Sequence, residues 1–317
     1  MVPDNPRIVV LGGAVMDLVF PVRDLPGWKQ AVQAKSFRMY PGGKGLNQAV
    51  ALARLGSDVS LISAVGFDDF GEQISDYLQM ERVNHDHVQV VKDGYTDVTN
   101  VFVNEAGEVA YVGWKGISDT EITAEQIKNA EGIIKQADAL LITFEVPVRI
   151  IRQAIEVAKM RNTFIVLNPS PPLDRLDNPP YELLNFVDAL IPNEWEASQF
   201  LRTTNEGMQL AQNLHEMGAK IACVTNSIYG CSVAIKARVK NYPSFSVGQP
   251  VDITGETDAF CAAFTFCIIK EIELEDAITV ANAAASLAIT RRGGSPSMPT
   301  VNELNRFLEQ HKIPLRL

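Results

Sequence analysis

Short apolar runs recur along the chain, each closed by a polar residue and followed by a stretch in which apolar positions return every three or four residues. The first is residues 8–11, mostly β-branched and ending in Gly12-Gly13, which reads as a buried strand. The rhythm repeats in VSLISAVG before GEQISDYLQMERV, in ALLITFE before VRIIRQAIEVAKMR, in TFIVLNPS, in DALIPN before EWEASQFL, and in IACVTN. Strand and helix in alternation predict an α/β fold with a largely parallel central sheet and helices on both faces. Two regions break the rhythm. Between Asp17 and Tyr40 the pattern is short and alternating, punctuated by Pro21, Pro26 and Gly27. In TNVFVNEAGEVAYVGW, residues 101–103 and 109–112 flank Asn104-Glu105-Ala106-Gly107, a hairpin signature. These two flaps, about 17–40 and 97–115, are expected to pair as a small sheet attached to one α/β domain spanning residues 1–317.

Composition narrows the partners. With 38 acidic against 28 basic residues, a net charge of -10 and no basic stripe, nucleic acid is excluded as the main partner, though a local site for a small anion is not. No apolar run of about 18 residues and no basic-then-apolar leader occurs, so no membrane association and a cytoplasmic location are expected. Cys223, Cys231, Cys261 and Cys267 lack C-x-x-C spacing and read as buried thiols, without disulfide or zinc. His85 and His87 have no third ligand nearby and read as part of a solvated connection.

Ligands of open parallel sheets gather at the carboxyl ends of the strands. Here those ends are followed by Asp17, Glu145, Asn168, Asn193 with Glu196, Thr225 and Asp258. In YPGGKGLNQAVALARLG, Gly42, Gly43 and Gly45 precede a helix whose N-terminus is expected to offer unpaired N–H groups to a ligand; a purely structural turn is the other reading. It is no Walker loop, because Lys44 is followed by Gly. DITGETDAF runs from a turn into an apolar helix, so amide groups and the helix dipole would face an anion with Asp258 alongside. That arrangement suits phosphoryl transfer, the carboxylate taking the proton of an attacking hydroxyl, while an ordinary first-turn acid remains the alternative.

GGKGLNQAVALARLG and DITGETDAF together resemble the two signatures of the PfkB family of carbohydrate kinases, in its ribokinase branch. LLITFE, VLNPSPP, IPNEWEA and ITRRGGSPSMP follow the order and rough spacing of ribokinases, so the resemblance covers essentially the whole chain. It implies a Rossmann-like three-layer sandwich with a small β-sheet lid, through which ribokinases commonly dimerise. It also implies ATP-dependent phosphorylation of the primary hydroxyl of a small sugar, ribose or a related pentose, with magnesium and potassium. By the same resemblance Asp17, Gly43, Lys44, Asn47 and Glu145 hold the sugar, and Asp258 is the general base beside an anion hole of Gly255, Glu256 and Thr257. Asn193 and Glu196 organise phosphate and magnesium, Glu196 through water, although N-x-x-E alone reads as a helix start. Thr225, Ser227 and Gly230 contact the nucleotide, with Asn282 by the adenine. Asp252, Thr254, Ala288, Arg291, Gly293 and Ser297 match the monovalent-cation loop, mostly as carbonyl donors. Tyr111 and Trp114 end the second flap, as packing or as a cover over the sugar.

Two departures fall on the nucleotide side. Gly255-Glu256-Thr257-Asp258 stands where the family shows Gly-Ala-Gly-Asp, and Ser227 replaces the first glycine of Thr-x-Gly-x-x-Gly. A positive φ at Thr257 would add strain. A Glu256 charge about 5 Å from a phosphate charge, at an effective dielectric of about 20, would repel it by roughly 3 kcal/mol. Two readings follow: a sugar kinase with an altered donor site, or a catalytically weak sugar-binding sensor or partner protein with an impaired nucleotide site.

Overall fold

A computed structural model describes residues 3–116, 122–170 and 179–317; Pro171 and Pro172 of VLNPSPP lie outside the described residues. The strands are β1 (Arg7–Leu11), β2 (Val15–Pro21), β3 (Arg38–Gly42), β4 (Asp58–Gly66), β5 (Asn84–Val91), β6 (Val98–Val103) and β7 (Val109–Trp114). They continue with β8 (Ala139–Thr143), β9 (Phe164–Asn168), β10 (Ala189–Leu190), β11 (Ile221–Thr225), β12 (Cys231–Ile235) and β13 (Arg238–Tyr242). The large sheet has the order β13-β12-β11-β10-β9-β8-β1-β4-β5, and the small one β3-β2-β6-β7. From β11 to β5 every pairing of the large sheet is parallel; β12 and β13 add an antiparallel edge. This is the expected α/β architecture with a separate small sheet.

Alternation along β1 shows why the sheet is covered on both sides. Ile8 and Val10 enter one apolar cluster while Val9 and Leu11 enter the other. The first cluster packs under α1 (Lys44–Arg54) and α2 (Asp69–Met80). The second packs under α3 (Ala124–Asn129), α4 (Glu131–Gln136), α5 (Val148–Lys159), α6 (Glu194–Leu201) and α7 (Gly207–Glu216). The chain then returns to the first face with α8 (Glu256–Ile269), α9 (Leu274–Ala288), α10 (Gly294–Ser297) and α11 (Val301–Gln310). α8 is apolar on all sides and its residues 256–267 are all buried, which places its N-terminus, with three polar residues, inside the molecule. Among the described residues no helix is long and apolar enough to cross a membrane.

The sequence reading is corrected at the sheet edges. The segment with His85 and His87 is no loose connection but the edge strand β5, paired with β4, its polar residues alternating as one-sided burial requires. The β12–β13 hairpin went unread; Lys236 takes φ 53 in its turn, where no glycine marks the reversal.

Candidate active site

Glu145, just past β8, is gripped by the glycine turns. Its Oε2 accepts from the amides of Gly13 at 2.7 Å and Gly45 at 3.1 Å and from Thr143 Oγ1 at 2.9 Å, and its Oε1 accepts from the Lys44 amide at 2.9 Å. The next amide of α1, Leu46, donates to the Gly13 carbonyl at 3.0 Å. Of the two readings of this glycine cluster, the structural turn is the one found: a carboxylate of the chain itself fills the positive end of the helix. The turns meet at van der Waals limits. A Cβ on Gly12 would lie 2.7 Å from Gly45 Cα, and one on Gly45 would lie 2.6 Å from Gly12 Cα.

Asp258, in the first turn of α8, is 2% exposed and lines the same cleft. Asn47 Nδ2 donates to its Oδ2 and Gln48 Nε2 to its Oδ1, each at 3.0 Å. Burial pushes its carboxyl above the ordinary carboxylate range, against the pull of Lys44 and the two amides. Asp17 on β2 is raised further, by burial first and then by Glu145, Asp258 and Asp252. Asn47 Oδ1 is buried with no partner, an acceptor left open beside Asp258. Gln48 was missed in the sequence; its place next to Asn47 was the available signal.

The N-terminus of α8 contrasts with that of α1. Gly255 caps it with φ 80 and no side-chain hydrogen bond, and among the described residues no group accepts from the amides of Thr257 and Asp258. Thr257 has helical backbone, so the strain expected there is absent: the positive φ belongs to Gly255. Ser227 instead carries φ 43, in the position where the strain of a missing glycine does arise. Thr257 Oγ1 lies 3.3 Å from Thr225 Oγ1. Glu256 lines the cleft, faces Ser227, and burial pushes its carboxyl up to about 7.

One cleft of about 1160 Å³ joins these groups, larger than one small ligand needs. Asp17, Gly43, Lys44, Asn47, Glu145, Asn193, Glu196, Thr225, Ser227 and residues 254–258 all line it. Tyr111 and Gly113 of the small sheet also line it, whereas Trp114 stacks obliquely on Tyr95 at 6.3 Å. Asn193 caps α6 in a reciprocal box with Glu196, at 2.7 Å and 2.9 Å, so the N-x-x-E motif is a helix start as well as a cleft wall. Glu196 also accepts from Ser170, and Lys44 Nζ lies 3.5 Å from its Oε1. Burial works to lower the Lys44 ammonium, but Glu196 and Asp258 outweigh it and hold the charge firmly.

Other marked residues stand off the cleft. Gly230 and Asn282 are absent from its lining; Asn282 Nδ2 donates to the carbonyls of Tyr242 at 3.4 Å and Pro243 at 3.3 Å. Asp252 holds the cation-loop segment together, accepting from the amides of Thr254 and Gly293, each at 2.9 Å. The Ala288 carbonyl accepts from the Arg291 amide at 3.1 Å, the Arg291 guanidinium pairs with Glu303 at 2.7 Å, and Ser297 Oγ donates to the Gly294 carbonyl at 2.7 Å. Thr254 Oγ1 is buried and has the Tyr111 hydroxyl near it. Among the described residues no three His, Cys, Asp or Glu side chains cluster as a metal site.

A three-layer α/β sandwich with a small appended sheet and a polar cleft at the strand ends fits an enzyme of small polar ligands, and comparison with known proteins gives its class. The model of the pfkB family carbohydrate kinases matches residues 5–301. The chain is 33% identical over 304 residues to a ribokinase of Bacillus subtilis, covering 95% of this chain and 99% of that protein. To a ribokinase of Haemophilus influenzae it is 29% identical over 306 residues, covering 95% and 98%. The solved structure of Arabidopsis thaliana ribokinase, complexed with ribose and ATP, superposes with a TM-score of 0.82 at 27% identity, over 96% of this chain and 99% of that one. The chain belongs to the pfkB family of carbohydrate kinases. It is a ribokinase-like sugar kinase, and its family uses ATP.

Proposed function

We propose that the protein transfers the terminal phosphoryl group of ATP to the primary hydroxyl of a pentose, ribose or a close relative. One observation carries this reading: Asp258, both oxygens steered by Asn47 and Gln48, lies in the cleft directly beside the open amides of Thr257 and its own residue. Asp258 takes the hydroxyl proton as the sugar oxygen bonds to the γ-phosphorus and the bond to ADP breaks. The amides steady the phosphoryl charge as it transfers. Asp17 and the open Asn47 Oδ1 accept from the sugar's other hydroxyls, and Lys44 holds its charge between Asp258 and Glu196. Glu145 acts on the sugar side mainly by fixing the glycine turns.

Magnesium, when bound with the nucleotide, would be held on the Asn193–Glu196 side and supply neutralisation of phosphate charge. Potassium would be held by the loop of Asp252, Thr254, Ala288, Arg291, Gly293 and Ser297, mostly through carbonyl oxygens. We also place a dimer contact on the small sheet and its long connection, which expose Leu25, Trp28 and Phe37; Trp28 is 100% exposed. Four buried, unpaired cysteines suit a reducing cytoplasm.

Steady-state ADP release over ribose, deoxyribose, fructose and nucleosides, with and without potassium, tests the reading, with sedimentation for the dimer. A pentose is expected to give the highest kcat/KM. Turnover with none of them at high enzyme concentration would remove the kinase assignment for this site.

A further inference from the structure

Near the start of α8 the cleft offers hydroxyl, amide and carboxyl groups. Thr225, Asn226, Ser227, Glu194 and Glu256 all line it. Lys44 is the sole Lys or Arg among the described residues lining the cleft, and it is engaged with Glu196 at 3.5 Å. Glu256 is the residue the fold explains least. It is 9% exposed, enters no ion pair among the described residues, and has the Ser227 hydroxyl against its carboxyl group. Ser227 is held there on a left-handed backbone, φ 43, that a serine adopts only at some cost in strain.

A carboxyl group with two oxygens and a hydroxyl neighbour matches two adjacent hydroxyls, accepting a hydrogen bond from each. A nucleotide supplies that pair on its ribose, on the far side of the phosphates from the transferring group. Glu256 starts one residue before the amides of Thr257 and Asp258, where the terminal phosphate would sit, and lines the same cleft with Ser227 against it. We propose that Glu256, supported by Ser227, forms a subsite for the 2′,3′-diol of the nucleotide donor. The subsite rests on the kinase reading given above, and it makes the donor site selective for ribonucleotides.

Calorimetric titration of ADP, 2′-deoxy-ADP and 3′-deoxy-ADP, each with magnesium, into the wild type, Glu256→Gln and Glu256→Ala tests it. The wild type is expected to lose roughly 10- to 100-fold in affinity for either deoxynucleotide. Glu256→Ala is expected to bind ADP more weakly and to discriminate by less than about 3-fold, with Glu256→Gln between the two. Equal binding of the three nucleotides by the wild type overturns the proposal, and so does full discrimination retained in Glu256→Ala. A uniform gain for all three nucleotides in Glu256→Ala also overturns it, because the carboxylate would then face phosphate. Absence of nucleotide binding overturns it as well. The Glu256→Gln melting curve reports folding independently. Diol discrimination without turnover of any sugar would support the subsite and remove the kinase reading, so the two fail separately.

Discussion

Two helices of this protein begin in nearly the same way and end up with opposite duties. α1 and α8 are each capped by a glycine at positive φ, Gly43 at 91 and Gly255 at 80, and neither has a side-chain cap. At α1 the first amides are taken by Glu145, which arrives from a strand end about a hundred residues later in the chain. At α8 the amides of Thr257 and Asp258 stay open to the cleft. The local turn therefore makes the helix end, but a distant carboxylate decides whether that end is structure or site.

The contrast can be broken most severely at Asp258. Asp258→Asn is expected to lower kcat by roughly 10²- to 10⁴-fold while sugar affinity, read by calorimetry, is kept. Because only the ionised form accepts a proton and burial raises its pKa, wild-type kcat should fall with falling pH at a point above the usual carboxylate range. Glu145→Gln leaves several amide donors at α1 without their charged acceptor, and about 2–4 kcal/mol of stability should be lost in urea titration. Lost activity with unchanged stability would instead make Glu145 a direct sugar contact.

Smaller effects follow at the open helix end. The Glu256 carboxyl, 4.5 in its ordinary state, is raised to about 7 on folding, so the folded chain binds this proton more tightly than the unfolded one. Its contribution is therefore full below about pH 4.5 and is lost as pH rises through about 7, leaving the fold weaker by roughly 1–3 kcal/mol at pH 8. Glu256→Gln should melt higher than wild type at pH 8 and equal to it at pH 4.5. Ser227→Gly should add about 0.5–1 kcal/mol by relieving the left-handed backbone, seen as a small rise in Tm.

What could be read from the sequence follows the same division between local and distant causes. Central strands such as β8, with residues 139–143 buried throughout, are legible because burial on both faces leaves an unbroken apolar run. Edges are harder: β5 alternates polar residues and β13 is largely exposed, so neither carries that mark. In the cleft, Asp258 was marked by its turn and helix, a local signal. Gln48 was not, because its role depends on α8 packing against α1, 210 residues away in sequence. Asn282 shows the reverse. Its neighbours are the carbonyls of Tyr242 and Pro243, brought to it by tertiary packing that no pattern around residue 282 records.

The crossing of Gly12 and Gly45 has a consequence for anyone diversifying this chain. In each direction main chain stands within 2.7 Å of the added carbon, and on Gly12 the Thr143 hydroxyl stands 2.6 Å away as well. Trimming Thr143 leaves the main-chain obstacle in place, so the two positions form a lock without a compensating key. A randomised library should return hydrogen alone at both, whatever sugar it is selected on.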